Sequence, residues 1–141
     1  MTAPGVSAVK AGDTIEPLSR TVTQEQINAY ADASGDHNPI HLDADFATAV
    51  GLPGTIAHGM LTLGILTQAL GRWAGGTDRV ASLEVRFSKP LRAGDTVTCT
   101  GSVVAVDEEA GLATLEVDAT SSSGERVMTN GRATVRLSQQ G

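Results

Sequence analysis

Cysteine occurs once in the chain, at Cys99, so no disulfide can form within it and a reducing compartment is expected. Aromatic residues are almost as scarce, at 3% (Tyr30, Phe46, Trp73 and Phe87). The core must therefore be built from Val, Leu, Ile and Ala. Lys and Arg number 10 against 16 Asp and Glu, a net charge of −6, whereas a nucleic-acid surface needs a basic face and stacking rings. A local basic cluster can still meet an anionic ligand. Long hydrophobic runs are absent as well. Residues 46–71 carry no charged side chain, but their dense apolar part, Met60 to Leu70, is broken by Thr62, Gly64, Thr67 and Gln68. It is about half of the ~20 residues that a membrane span needs. Residues 1–10 lack the charged start and apolar run of a secretory signal. These absences predict a cytoplasmic protein with no nucleic-acid partner and no membrane partner.

Several catalytic signatures are missing too. There is no G-x-S-x-G, no HExxH, no paired-cysteine pattern and no phosphate-cradling glycine loop. Asp36, His37, His41, Asp43, Asp45 and His58 lie close in sequence, yet no two of the histidines share a regular helix at ligand spacing. No metal and no cofactor are expected. Cys99 falls on the apolar side of a strand pattern, which argues against a nucleophile.

What is present is ordinary globular material. With 141 residues, 40% hydrophobic and 18% charged, the chain is expected to form one domain over 1–141. Lys10-Ala11-Gly12-Asp13-Thr14 is a turn before an extended segment, Thr14 to Val22, and Arg92-Ala93-Gly94-Asp95-Thr96 repeats that turn chemistry. Thr23 with Gln26 is a capping-box pattern that starts a helix, and Gly35 stops it. Pro39 keeps 36–41 from being continuous helix. Asp43 caps a short helix over roughly 44–50. A long helix follows over about 58–73, apolar all round and so expected to be buried on nearly every side.

From Val80 the period changes to two. Ala81, Leu83, Val85 and Phe87 alternate with polar residues, then Val97, Cys99, Val103 and Ala105, then Ala113, Leu115, Val117 and Ala119, then Val127, Ala133, Val135 and Leu137. Residues 107–111 and 121–124 have hairpin chemistry. Gly101 and Gly131 within strands predict bends or close approach. A long antiparallel sheet with one apolar face needs a cover, and the 58–73 helix is the candidate. The expected fold class is α+β, a sheet wrapped around one helix.

The residues fit for chemistry gather where helix gives way to turn. Asp36 and His41 flank Asn38-Pro39, so a carboxylate and an imidazole can converge on one small volume as an acid/base pair. The same two residues can equally be a turn cap and a structural histidine. Asn38 is either a plain turn residue or a support for the carboxylate. Gly59 opens the long helix, where a backbone amide and the helix dipole can hold a developing oxyanion, or it is needed only for close packing. Thr67 can support a neighbouring catalytic group or bond its own helix. His58 reads first as a capping or packing residue, and His37 as exposed. Arg86, Lys89 and Arg92 form a basic cluster near a strand end.

Tyr30-Ala31-Asp32-Ala33-Ser34-Gly35-Asp36-His37-Asn38-Pro39-Ile40-His41, with Ile56-Ala57-His58-Gly59-Met60-Leu61-Thr62, resembles the MaoC-like hot-dog family of (R)-specific enoyl-thioester hydratases and (3R)-hydroxyacyl-thioester dehydratases. The likeness covers the whole chain. The resemblance implies a hot-dog fold and reversible hydration of a trans-2-enoyl thioester of CoA or acyl carrier protein. It implies Asp36 and His41 as the catalytic pair, the Gly59 amide on the thioester carbonyl, and Asn38 as support. Thr67 stands where some hydratases have a serine that bonds the aspartate. It further implies a hot-dog dimer, with itself or with a non-catalytic partner. The rival expectations are a hot-dog acyl thioesterase and a non-catalytic partner subunit. The Asp-x-Asn-Pro-x-His turn points away from the first, and the presence of the pair points away from the second.

Overall fold

The computed structural model describes residues 3–139. Each helix forms where its end chemistry directs. Thr23 and Gln26 exchange side-chain and backbone bonds as a capping box, and α1 (Gln24–Ser34) runs from there to Gly35, whose φ of 80° closes it. Residues 36–41 are not one continuous helix, as Pro39 predicts: 36–38 are irregular and helix begins only at Pro39. Asn38 accepts a bond from the Ile40 amide and caps a single helical turn, α2 (Pro39–Leu42). Pro39 occupies its first position, where a missing amide hydrogen costs nothing. Asp43 accepts from the Asp45 and Phe46 amides and starts α3 (Ala44–Ala49). The long helix is α4 (Gly59–Ala74).

Strand β1 (Leu18–Thr21) precedes these helices, and β2 (Val80–Phe87), β3 (Thr96–Asp107), β4 (Leu112–Ser121) and β5 (Arg126–Arg136) follow. They form one antiparallel sheet in the order β1-β3-β4-β5-β2. The two turns of shared chemistry fold alike: the Lys10 amide bonds the Asp13 carboxylate and the Arg92 amide bonds that of Asp95. The sheet curls around α4, with Leu66, Ala69, Leu70 and Ala74 against Val97, Cys99, Leu115, Ala133 and Val135 in one core. This is the hot-dog arrangement.

Two expectations about burial fail, each for a visible reason. The α4 helix is not covered all round: Met60 is 59% exposed, and Gly64 and Gln68 on the same stripe are exposed as well. That open stripe lines a shallow groove with Tyr30 and Thr77, and β2 is an edge strand where Leu83 and Val85 are half-buried and Ala81 and Phe87 are exposed. Ala105 also faces out, because the β3–β4 register shifts between Val103 and Ala105 and hands the inward position to Val106.

Gly131 is the position where only hydrogen fits, since a Cβ there would collide with the Val117 carbonyl on the paired strand. Gly131→Ala is expected to cost about 3 kcal/mol of stability, read as a lowered urea midpoint; an unchanged midpoint would contradict this register. Cys99 is wholly buried. Burial, and secondarily the charge of Asp118, push its thiol up to about 12 from the usual 9.0. The folded thiol holds its proton more tightly, so its contribution to stability is complete below pH 9 and is lost as pH rises toward 12. A disulfide reagent at pH 8 should leave the native thiol untouched and titrate it only after unfolding.

Candidate active site

Asp36 sits immediately beyond the left-handed end of α1, its amide on Ser34 Oγ at 3.2 Å. Its carboxylate accepts the Asn38 amide at 3.2 Å, and the Asn38 side chain in turn caps α2. The Asn38 side chain thus shapes the turn, while it is the backbone amide of Asn38 that meets the carboxylate. The α2 turn carries the His41 ring inward, to 7% exposure. His41 Nδ1 lies 2.7 Å from the Ile56 carbonyl. A carbonyl only accepts, so the neutral ring carries its proton on Nδ1 and keeps the lone pair on Nε2 free. That nitrogen faces Asp36 Oδ2 at 3.9 Å, too far for a direct hydrogen bond and wide enough for an oxygen held by both.

His58 lies against the pair. Its Nε2 donates to the Asp36 backbone carbonyl at 3.0 Å, and its ring stacks on His41 with centroids 3.8 Å apart at 25°. It is the N-cap of α4 but makes no side-chain cap bond. The Gly59 amide, the first of α4, has no acceptor within the helix and stands at its positive end. A cavity of about 200 Å³ joins the His41 ring, Gly59 and Thr62 to Phe87, Lys89 and Val127.

Asp36, His41 and His58 offer donor atoms within 4.8 Å of one another. They do not make a good metal cage. The two stacked imidazoles each spend one nitrogen on a backbone carbonyl, and lone pairs in nearly parallel rings do not converge on one ion. Asp43 is engaged in capping α3, and the exposed His37 pairs with Asp32 at 3.1 Å.

The family model described as the MaoC like domain matches residues 7–125. The chain belongs to the MaoC-like family. Among its relatives is the (R)-specific enoyl-CoA hydratase of Rhodospirillum rubrum, 32% identical over 125 residues, 88% of this chain and 85% of the relative. The 3-hydroxyacyl-thioester dehydratase Z of Mycobacterium tuberculosis is 38% identical over 93 residues, 62% of each chain. A solved structure described as a MaoC-like dehydratase superposes with a TM-score of 0.92 at 31% identity over 96% of this chain and 43% of that one. This MaoC-like chain therefore spans less than half of that longer structure and under two thirds of the mycobacterial relative.

Within this MaoC-like site some residues carry no signal in the sequence. Gln24, the first residue of α1, donates to the His41 carbonyl at 2.8 Å and accepts from Thr55 at 2.6 Å, so it pins α2 to the segment that precedes α4. Thr62 is buried at the cavity wall, its hydroxyl toward the His58 carbonyl at 3.4 Å. No short motif marks either residue. Thr67 donates instead to the Leu63 carbonyl, one turn back on its own helix, at 2.9 Å. Arg86, Lys89 and Arg92 are all exposed, with Lys89 at the cavity. A larger cleft of about 630 Å³ lies over Gly101 and Gly131 on the outer side of the sheet. Its Asp118 is taken up by Thr100 and Arg126, and it holds no imidazole. His41 and Gly59 line the smaller cavity instead. Among the described residues, no helix is long and apolar enough to cross a membrane.

Proposed function

We propose that this MaoC-like hydro-lyase, acting as one domain over 1–141, reversibly adds water across trans-2-enoyl thioesters to give the (3R)-hydroxyacyl product. The 3.9 Å opening between the free Nε2 of His41 and the carboxylate of Asp36 carries this reading, because the cavity beside it is also lined by Gly59. The thioester carbonyl accepts from the Gly59 amide, which stabilises the enolate-like transition state. Water held between His41 and Asp36 adds its oxygen to the β-carbon, and the pair returns a proton to the α-carbon on the same face. Dehydration runs the same steps backwards. Asn38 holds the carboxylate in place. Thr67 stays a supporting residue, since its hydroxyl oxygen can still accept while donating to Leu63.

Lys89 at the cavity, with Arg86 and Arg92 near it in sequence, is our choice for meeting the phosphates of CoA or the acidic surface of an acyl carrier protein. The open α4 stripe and the free edge of β2 suit a hot-dog dimer built by extending the sheet, with a second copy or a related partner chain. The buried, unpaired Cys99 fits work in the cytoplasm. Purified protein with crotonyl-CoA is expected to bleach the enoyl-thioester absorbance without releasing thiol. Thiol release would mean a thioesterase. No change, even with longer enoyl chains and a co-expressed partner, would mean a non-catalytic subunit.

A further inference from the structure

His58 touches both members of the proposed pair and begins the helix that carries Gly59. It is 2% exposed. One face of its ring lies on His41, Tyr30 flanks it at 4.8 Å, and its backbone carbonyl accepts the Leu61 and Thr62 amides. A histidine serving only as a helix cap would turn its side chain to the helix amides, and this one does not. Its Nε2–H goes to the Asp36 carbonyl, 22 residues away in sequence, while Nδ1 is buried with no hydrogen-bond partner among the described residues. A phenyl ring would stack as well without leaving a buried nitrogen unpaired. What the imidazole adds is the Nε2–H.

Two backbone carbonyls thus hold the stacked rings in opposite tautomers. The Ile56 carbonyl takes the Nδ1 proton of His41 and leaves Nε2 bare; the Asp36 carbonyl takes the Nε2 proton of His58 and leaves Nδ1 bare. We propose that His58 is a positioning residue for the hydration reaction: it clamps the backbone of Asp36, backs the ring of His41 and so sets the opening between them. Because Gly59 is the next residue, the same clamp fixes that opening relative to the amide that receives the carbonyl. The proposal rests on the reading that Asp36 and His41 handle the water. Misplacing such a pair by about 1 Å is enough to cost ~10²-fold in rate, with no change in what binds the substrate.

Two substitutions separate the clamp from the stack. His58→Phe keeps a ring against His41 and loses the donor; His58→Gln keeps a donor at the place of Nε2 and loses the ring. With crotonyl-CoA, His58→Phe is expected to lower kcat by ~10–100-fold with KM within about 3-fold, and His58→Gln to restore kcat to within about 5-fold of wild type. Circular dichroism and thermal unfolding report whether each variant is folded. A folded His58→Phe of wild-type kcat overturns the proposal, and so does a His58→Gln as slow as His58→Phe. Independently of any variant, nitrogen-15 histidine spectra of the wild-type protein at pH 8, where imidazoles are in general neutral, are expected to show His58 protonated at Nε2 and His41 at Nδ1. Protonation of His58 at Nδ1 overturns the clamp. A wild type inert toward every enoyl thioester sinks the reading of function and the positional role with it, whereas an active wild type beside an equally active His58→Phe sinks the positional role alone.

Discussion

Asp36→Asn and His41→Asn are each expected to lower kcat for enoyl-thioester hydration by ~10³-fold or more while leaving the fold intact, a loss within the range attributed to positioned acid/base groups. The substitutions are chosen to remove chemistry and keep geometry. An asparagine at 36 still presents an oxygen to the Asn38 amide, the bond that shapes the turn, but it carries no charge and takes up no proton. An asparagine at 41 can place its amide nitrogen where Nδ1 now donates to the Ile56 carbonyl, yet has nothing basic at the site of Nε2. His41→Ala would remove that donor as well and leave a partly buried carbonyl unpaired, at up to about 1–3 kcal/mol, which confuses a loss of stability with a loss of catalysis. Because the two groups act on one water, the double variant should be barely slower than either single one. Single variants that keep more than a tenth of wild-type kcat, or losses that multiply in the double variant, would remove Asp36 and His41 from the chemistry.

Much of the fold and part of the site are legible in the amino-acid sequence alone. The capping box at Thr23, the stop at Gly35, the strand period from Val80 and the two hairpins are local signals, each decided by a few neighbouring residues, and each appears where expected. The Asp36-x-Asn38-Pro39-x-His41 spacing is legible for the same reason, since one turn carries it. What the sequence does not reveal is long-range. A bulge between Val103 and Ala105 depends on the β4 partner and turns an apolar residue outward. The exposure of Met60 depends on how Tyr30 and Thr77, distant in sequence, come to rest beside α4. Gln24 and His58 act across 17 and 22 residues, and a glutamine in a first helical turn or a histidine before a glycine announces nothing by itself. The pattern has a physical basis: the side chains of the proposed pair sit on one short segment, whereas the groups that hold them come from segments that only the fold brings near.

Gly59→Pro is expected to lower kcat ~10²–10³-fold below Gly59→Ala, the loss typical of removing one donor from an oxyanion site, with thermal stability similar in the two. The backbone is prepared for the change. Gly59 is the first residue of α4, a position that favours proline. His58 before it has φ −62° and ψ 136°, the extended conformation that a residue preceding proline prefers. A Cβ at 59 would meet the Phe87 ring at 3.2 Å, but that ring is 50% exposed and can give way. Alanine introduces the same carbon and keeps the amide hydrogen, so the comparison of Pro with Ala isolates the donor from the crowding. Alanine itself should stay within about 5-fold of wild type. If proline and alanine are equally active, the Gly59 amide is not the group that receives the carbonyl; if alanine is as slow as proline, the glycine is there to let Phe87 lie against α4. The carbonyl is held more strongly as negative charge grows on its oxygen, so a true oxyanion donor must show its loss mainly in kcat, with KM moving far less.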